Sequence, residues 1–249
     1  MTLTDIDVNF DFTSDTPKFW DHFWDGDGLG RGGADPDAKS QTMQNYHRLI
    51  YSRVLPNGEK MELINDSTCL YWNNIWFGND SITATFRHVD YRPMLDKVAE
   101  SMDNYRGFVE NYLRKLYTIG GAIIFPAHRY SINQARGMHR KISDRFDLTL
   151  ECIRCYYKNE PNPLEKCLDK DKDFFAKFND FKGYVDFFFL QDLVSENYDR
   201  VLFWLENDNF TKKKLPQSVE EYLQFVNVQL EFVAKRNQRI DKFCKGIAD

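Results

Sequence analysis

"TCLYWNNIWFGNDSITATFRHV", residues 68–89, decides whether this chain is all helical or mixed. Over 82–87 apolar and polar residues alternate with a period of two. Ile82, Ala84 and Phe86 take turns with Thr83, Thr85 and Arg87, as in a half-buried strand. The run Gly78-Asn79-Asp80, between "NNIWF" and "SITATF", is a hairpin signal. With "MELINDS" before it, the whole stretch 61–87 reads as β structure.

Outward from this stretch the period changes to that of helices. Upstream, "SQTMQNYHRLIYSRV" (40–54) reads as a helix capped by Ser40, followed by a turn at 55–60. Downstream, 93–117 is helical, with Met94, Val98, Met102, Tyr105, Val109, Tyr112 and Leu116 stepping by three or four. Gly107 is expected to kink or divide it. "TIGGAIIFP" (118–126) reads as a buried strand or extended core segment. Ile142, Phe146, Leu150, Ile153 and Tyr157 share one helical face, with Asp144, Asp147, Glu151, Arg154 and Lys158 opposite, and Arg140 is set to pair with Asp144. "NEPNP" (159–163) stops that helix. Residues 164–178 read as another helix. The aromatic "FKGYVDFFFLQDLV" (181–194) is expected at the centre of the core, and "VLFWLEND" (201–208) as a last strand. A long terminal helix opens with a capping box of Ser218 and Glu221. Its late cations Arg236, Arg239 and Lys242 suit the helix dipole, and its basic face is a candidate for RNA contacts. The expected fold is α+β: a small antiparallel sheet from the first half, packed by helices mainly from the second half, with a long C-terminal helix. No linker divides the chain, so a single domain over 1–249 is expected, with a flexible glycine-rich loop at about 25–40.

Composition supplies the core and excludes some functions. The 249 residues include 21 Phe, 13 Tyr and 5 Trp, so much apolar area is available for burial. Net charge is −5, so a general electrostatic grip on DNA is not indicated. No apolar run has the length of a membrane span, and the acidic N-terminus lacks the apolar core of a secretory signal, so a cytoplasmic location is expected. The five cysteines read as reduced thiols. Cys152 and Cys155 form a C-x-x-C, but no second pair completes a zinc site and both fall in a helical pattern. The glycine-rich loop lacks the lysine and hydroxyl of a P-loop. The acidic residues Asp11, Asp15, Asp21, Asp25 and Asp27 are read as solvated, so no metal and no cofactor is expected.

"FDFTSDTPKFWDHFW", "TIGGAIIFP", "SINQARG", "ISDRFDLTLECIRCYY" and "DFKGYVDFFFLQDLV" together resemble a widespread prokaryotic family of uncharacterised proteins, a domain of unknown function. The resemblance runs over about residues 10–243. It implies one full-length domain and no assigned activity.

The candidate site is therefore read from "RYSINQARGMHRKISDR", residues 129–145. Arg136, His139 and Arg140 lie at i, i+3 and i+4, so one helical face would present all three, and guanidinium beside imidazole suits a phosphate. His139 is the candidate acid or base, with Arg136 and Tyr130 as catalytic partners. Ser131, Asn133, Gln134, Arg140, Arg145 and Trp20 are candidate substrate-binding residues, the amides suiting a base or sugar edge. His128, His22 and His47 are candidates for a second acid or base. This pattern points to action on nucleic-acid or nucleotide phosphates, as a metal-independent nuclease or phosphodiesterase, with a toxin or phage-defence effector as its setting. The expected partners are RNA or a nucleotide, and a protein such as an antitoxin. The alternatives are a non-catalytic nucleotide- or protein-binding module, or a nucleotidyl or ADP-ribosyl transferase using Glu151 or Glu110. The plain alternative is a solvated loop leading into a helix.

Overall fold

The computed structural model describes residues 1–25, 35–67, 69–82, 92–136, 141–205 and 215–247. A four-stranded antiparallel sheet, β1 (Ile64–Asp66), β2 (Cys69–Trp72), β3 (Ile75–Ser81) and β4 (Ala122–Pro126), runs in chain order. The hairpin lies elsewhere than expected. Asn73 and Asn74 form the turn, with φ of +49° and +63°, and Trp72 faces Ile75 across it. Two positive φ angles in a two-residue loop match the twist of the flanking strands, and asparagine tolerates them. Gly78-Asn79-Asp80 lies instead inside β3, paired with Phe125, Ile124 and Ile123. The expected strand 82–89 falls, beyond Ile82, outside the described residues.

The helices before the sheet are α1 (Phe19–Asp25), α2 (Pro36–Lys39) and α3 (Gln41–Tyr51). Ser40 caps α3 as expected, its hydroxyl accepting from the Met43 amide at 3.0 Å. Part of the glycine-rich loop is thus helical at 36–39; residues 26–34 lie outside the described residues. The Asp37 carboxylate accepts from the Ser81 amide at 2.9 Å, and its carbonyl accepts from Asn79 Nδ2 at 3.0 Å, so α2 docks on β3.

Between β3 and β4 run α4 (Arg92–Glu100) and α5 (Tyr105–Leu116). The break falls at 101–104 and not at Gly107. Asn104 caps α5 on the Gly107 amide at 3.0 Å, and a Cβ on Gly107 would sit 2.4 Å from the Asn104 side chain. After a 3-10 turn at Ile119–Gly121, β4 is buried along its whole length. Then come α6 (Ile132–Ala135), α7 (Phe146–Tyr157), α8 (Glu165–Leu168), α9 (Lys172–Phe175), α10 (Phe181–Phe187) and α11 (Val219–Cys244). The expected helix over 164–178 is broken into short turns. The expected strand at 201–208 shrinks to one bridge, Val194 to Val201, with 206–208 outside the described residues.

The aromatic segment is central, as its composition demands. Phe174, Phe178, Tyr184 and Phe188 pack with ring centres 4.8–5.5 Å apart, and Tyr51 from α3 joins Phe188 at 5.1 Å. The terminal helix is capped by Ser218, whose hydroxyl accepts from the Glu221 amide at 3.1 Å. Of its late cations, Arg236 is internal. Arg236 is fully buried and donates to the carbonyls of Phe188 (3.1 Å), Ile119 (3.3 Å), Gly120 (2.8 Å) and Ala122 (2.7 Å), and to the Tyr51 hydroxyl (2.9 Å). One guanidinium thus ties α11 to the entry of β4, the end of α10 and α3. Asn237 accepts from the Gly120 amide at 2.6 Å, and Arg239 pairs with Asp192. These side chains hold the fold, so Arg236 and Arg239 are engaged internally, while Lys235 and Lys242 of the same stretch are exposed.

Candidate functional site

The segment 129–145 divides into a surface part and an internal part. Its surface part begins where the chain leaves β4. The Ala127 amide donates to the Trp76 carbonyl at 2.6 Å, so the turn that follows sits beside Trp76 at the end of the sheet. His128 shapes that turn. Its Nδ1 accepts from the Tyr130 amide at 3.2 Å, which assigns the proton of the neutral ring to Nε2, and Nε2 lies 3.1 Å from both oxygens of Asp171. Burial raises the Asp171 carboxyl above its ordinary range and His128 opposes that shift. The turn presents Tyr130 to solvent, 55% exposed. The Lys170 ammonium lies 3.6 Å from the centre of the Tyr130 ring, and the Arg129 guanidinium 5.5 Å away.

The sheet continues this surface. Ile64, Tyr71 and Trp76 are direct cross-strand partners on β1, β2 and β3, so their side chains share one face. Ile64 is 57% and Trp76 43% exposed, and the Tyr71 and Trp76 rings lie 5.0 Å apart. The Tyr71 hydroxyl donates to Asn74 Oδ1 at 2.8 Å, which fixes the ring against the turn. On that face β4 is covered instead: Phe125, the cross-strand partner of Gly78, meets Phe146 of α7, and α6 packs on β4. The result is an open aromatic row bounded by the 127–131 turn.

The internal part is different in kind. Arg136 is 2% exposed. Its Nη1 donates to Asp80 at 2.5 Å and to the Ser81 carbonyl at 3.2 Å; its Nη2 donates to the Ile82 carbonyl at 3.1 Å and pairs with Asp144 at 3.3 Å. Asp144 thus takes Arg136 as its partner, while Arg140 lies outside the described residues. Burial, with Asp144 alongside, raises the Asp80 carboxyl against the pull of Arg136. Arg145 is fully buried and grips Asp147 through Nε, at 3.1 Å, and Nη2; Asp147 in turn accepts from the Trp204 amide at 2.9 Å. Guanidinium groups whose Nη atoms are turned to internal carboxylates and carbonyls offer no exposed edge to a phosphate.

The structure therefore brings together Tyr130, Arg129 and His128, and separates them from Arg136 and Arg145. Ser131 is buried ahead of α6, and Gln134 is half-buried on that helix. Asn133 lies on α6 with its side chain outside the described residues, as are His139 and Arg140. Trp20 packs on Phe19, Phe23 and Arg114, in contact with α5 and not with this surface. The sequence reading missed Lys170, Asp171 and Tyr71. Placing the hairpin at Asn73-Asn74 would have put Tyr71 and Trp76 opposite each other on one face. Nothing local announces Lys170 or Asp171, which arrive from forty residues downstream.

Among the described residues no group of three or more His, Cys, Asp or Glu is placed to hold a metal ion, and no helix is long and apolar enough to cross a membrane. Cys152 and Cys155 are buried in α7, and burial pushes the Cys155 thiol up to about 12 and Cys152 higher still.

The fold is an antiparallel sheet with one open aromatic face, packed by helices on the other, and a fold of itself does not fix a function. The chain belongs to a family of unknown function, DUF6994, whose model matches residues 6–240. No curated protein and no solved structure matches it.

Proposed function

We propose that the open face of the sheet binds single-stranded nucleic acid by stacking. Tyr71 and Trp76 receive bases, Tyr130 receives a further base at the edge, and Lys170 and Arg129 hold the phosphates between them. The Tyr71–Trp76 pair carries this reading: two large rings 5.0 Å apart on an uncovered sheet face, at a cost in exposed apolar area that the core does not require. The two cations beside Tyr130 supply the anion contact, and a chain of net charge −5 needs it to be local. With about two phosphates neutralised, log K should fall with log salt at a slope of only about −1.4. His128 has both ring nitrogens engaged and Arg136 is internal, so the reading is of binding. Phosphate-ester hydrolysis at this surface rests on His139, outside the described residues.

The test is fluorescence anisotropy of a labelled single-stranded oligouridylate against wild type, Trp76→Ala and Tyr130→Ala. Each loss of a stacking ring should weaken binding about tenfold. Tyr130→Ala should leave the unfolding temperature nearly unchanged, and Trp76→Ala, which also loses the cross-strand pair with Tyr71, should lower it by only a few degrees. Absence of saturable binding, or equal affinity in all three proteins, would sink the reading.

A further inference from the structure

A second site lies at the other end of α3, around Arg53. Its guanidinium carbon sits 4.4 Å from the ring centre of Phe187, 4.5 Å from Phe189 and 4.5 Å from Phe243. Nη2 donates to the Phe187 carbonyl, and Nε is buried with no hydrogen-bond partner. Arg136 also has an unpartnered Nε, so what sets half-buried Arg53 apart is its charge: the buried guanidiniums are answered, Arg136 by Asp80 and Asp144, Arg145 by Asp147, and Arg236 by five oxygens. Among the described residues no carboxylate pairs with Arg53. Burial lowers its pKa to about 10, so it is still charged at neutral pH. Phe189, one wall of the cage, is held at φ +57°, a conformation unfavourable for a bulky side chain.

A shallow, open depression of about 350 Å³ lies beside this cation, lined by Arg53, Val54, Pro56, Phe187 and Asp186 among others. The volume suits a small molecule. Most of its wall is apolar. Asp186 does not supply the missing counter-charge: it is paired with Lys182 and accepts from the Tyr198 hydroxyl at 2.8 Å and from Gln191 Nε2 at 3.1 Å. A half-buried cation without a carboxylate partner, beside a largely apolar wall, suits an anion.

We propose that this depression binds an oxyanion carried on an apolar body, with the Arg53 guanidinium as its anchor and Val54, Pro56 and Phe187 against the body. The group is a carboxylate or a phosphate ester, to either of which a guanidinium edge donates hydrogen bonds. This site is separate from the sheet face and does not depend on the reading of it.

Calorimetric titration of the full chain, at constant ionic strength, tests the proposal with benzoate and phenyl phosphate, and with acetate and inorganic phosphate as probes lacking the apolar body. Saturable binding of benzoate or phenyl phosphate, tighter than its bodiless counterpart, is expected, and the preferred member of the pair identifies the headgroup. Val54→Glu sets a carboxylate at the mouth; Val54 is 62% exposed, so the variant folds, and binding should weaken at least about tenfold. Arg53→Lys should weaken it similarly by losing the planar edge. The proposal is overturned if no probe binds saturably, if acetate and phosphate bind as well as the larger probes, or if both variants bind like wild type.

Discussion

Replacing Arg236 with methionine should cost far more stability than replacing Arg239, three residues further along the same helix. Arg236 makes five hydrogen bonds to internal oxygens and is fully buried. At a net value of about 1 kcal/mol each, discounted for the two longer contacts, the loss is about 4 kcal/mol. The carbonyls of Ile119, Gly120 and Ala122 would also be left dry where β4 begins. For a chain of this size 1 kcal/mol moves the unfolding temperature by about 2–4 °C, so Arg236→Met should unfold about 10 °C lower. Arg239 pairs with Asp192 at a half-exposed position, worth at most about 1 kcal/mol, or a few degrees. Thermal unfolding followed by near-ultraviolet circular dichroism reads both. An Arg236→Met protein as stable as Arg239→Met would refute the view that this guanidinium joins α11 to the sheet.

His47 gives a pH dependence. It is fully buried, its Nδ1 is 2.7 Å from Asn79 Oδ1, and burial holds its pKa down at about 4, against 6.5 for the free side chain. The unfolded chain therefore binds the extra proton first. Stability from this group is complete above about pH 6.5 and is lost as pH falls towards 4, by about 3 kcal/mol in all. Urea midpoints measured across that range should fall with pH more steeply in wild type than in His47→Gln; equal slopes would remove His47 from the account. Gly121→Ala should destabilise by more than about 3 kcal/mol, because its Cβ would lie 1.7 Å from the Leu116 carbonyl oxygen, whereas Gly58→Ala, at φ +86° in open space, should cost about 1 kcal/mol. Urea unfolding of the two variants checks the order. Alkylation of the native protein, mapped by mass spectrometry, should modify half-buried Cys69 while sparing Cys152 and Cys155 until the chain unfolds; early labelling of either would show that α7 is not packed as described.

The parts of the fold that were legible in the sequence are those set by a local period or a local cap. The β-rich apolar and aromatic runs 69–72 and 75–77, the apolar run 118–126, and the caps Ser40 and Ser218 each state their structure within a few residues. The hairpin was misplaced because Asn-Asn and Gly-Asn-Asp both make good turns, and only the pairing of β3 with β4, forty residues apart, decides between them. The cations were harder. Arg136 and Arg236 read as surface groups because charge at a helix end or in a polar segment is usually solvated. Their burial depends on carbonyls and carboxylates that distant segments supply. The same applies to the surface: the sequence offers Tyr130 as a candidate, but not that Lys170, forty residues away, lies against one face of its ring.

The central claim is that nucleic acid lies on the open sheet face. Photocrosslinking of a 5-bromouridine-substituted single strand to the native protein, with the adducts mapped by mass spectrometry, tests it most directly. Adducts on Tyr71, Trp76 and Tyr130 are the predicted result. Adducts confined to other surfaces, or none at saturating strand, would contradict it.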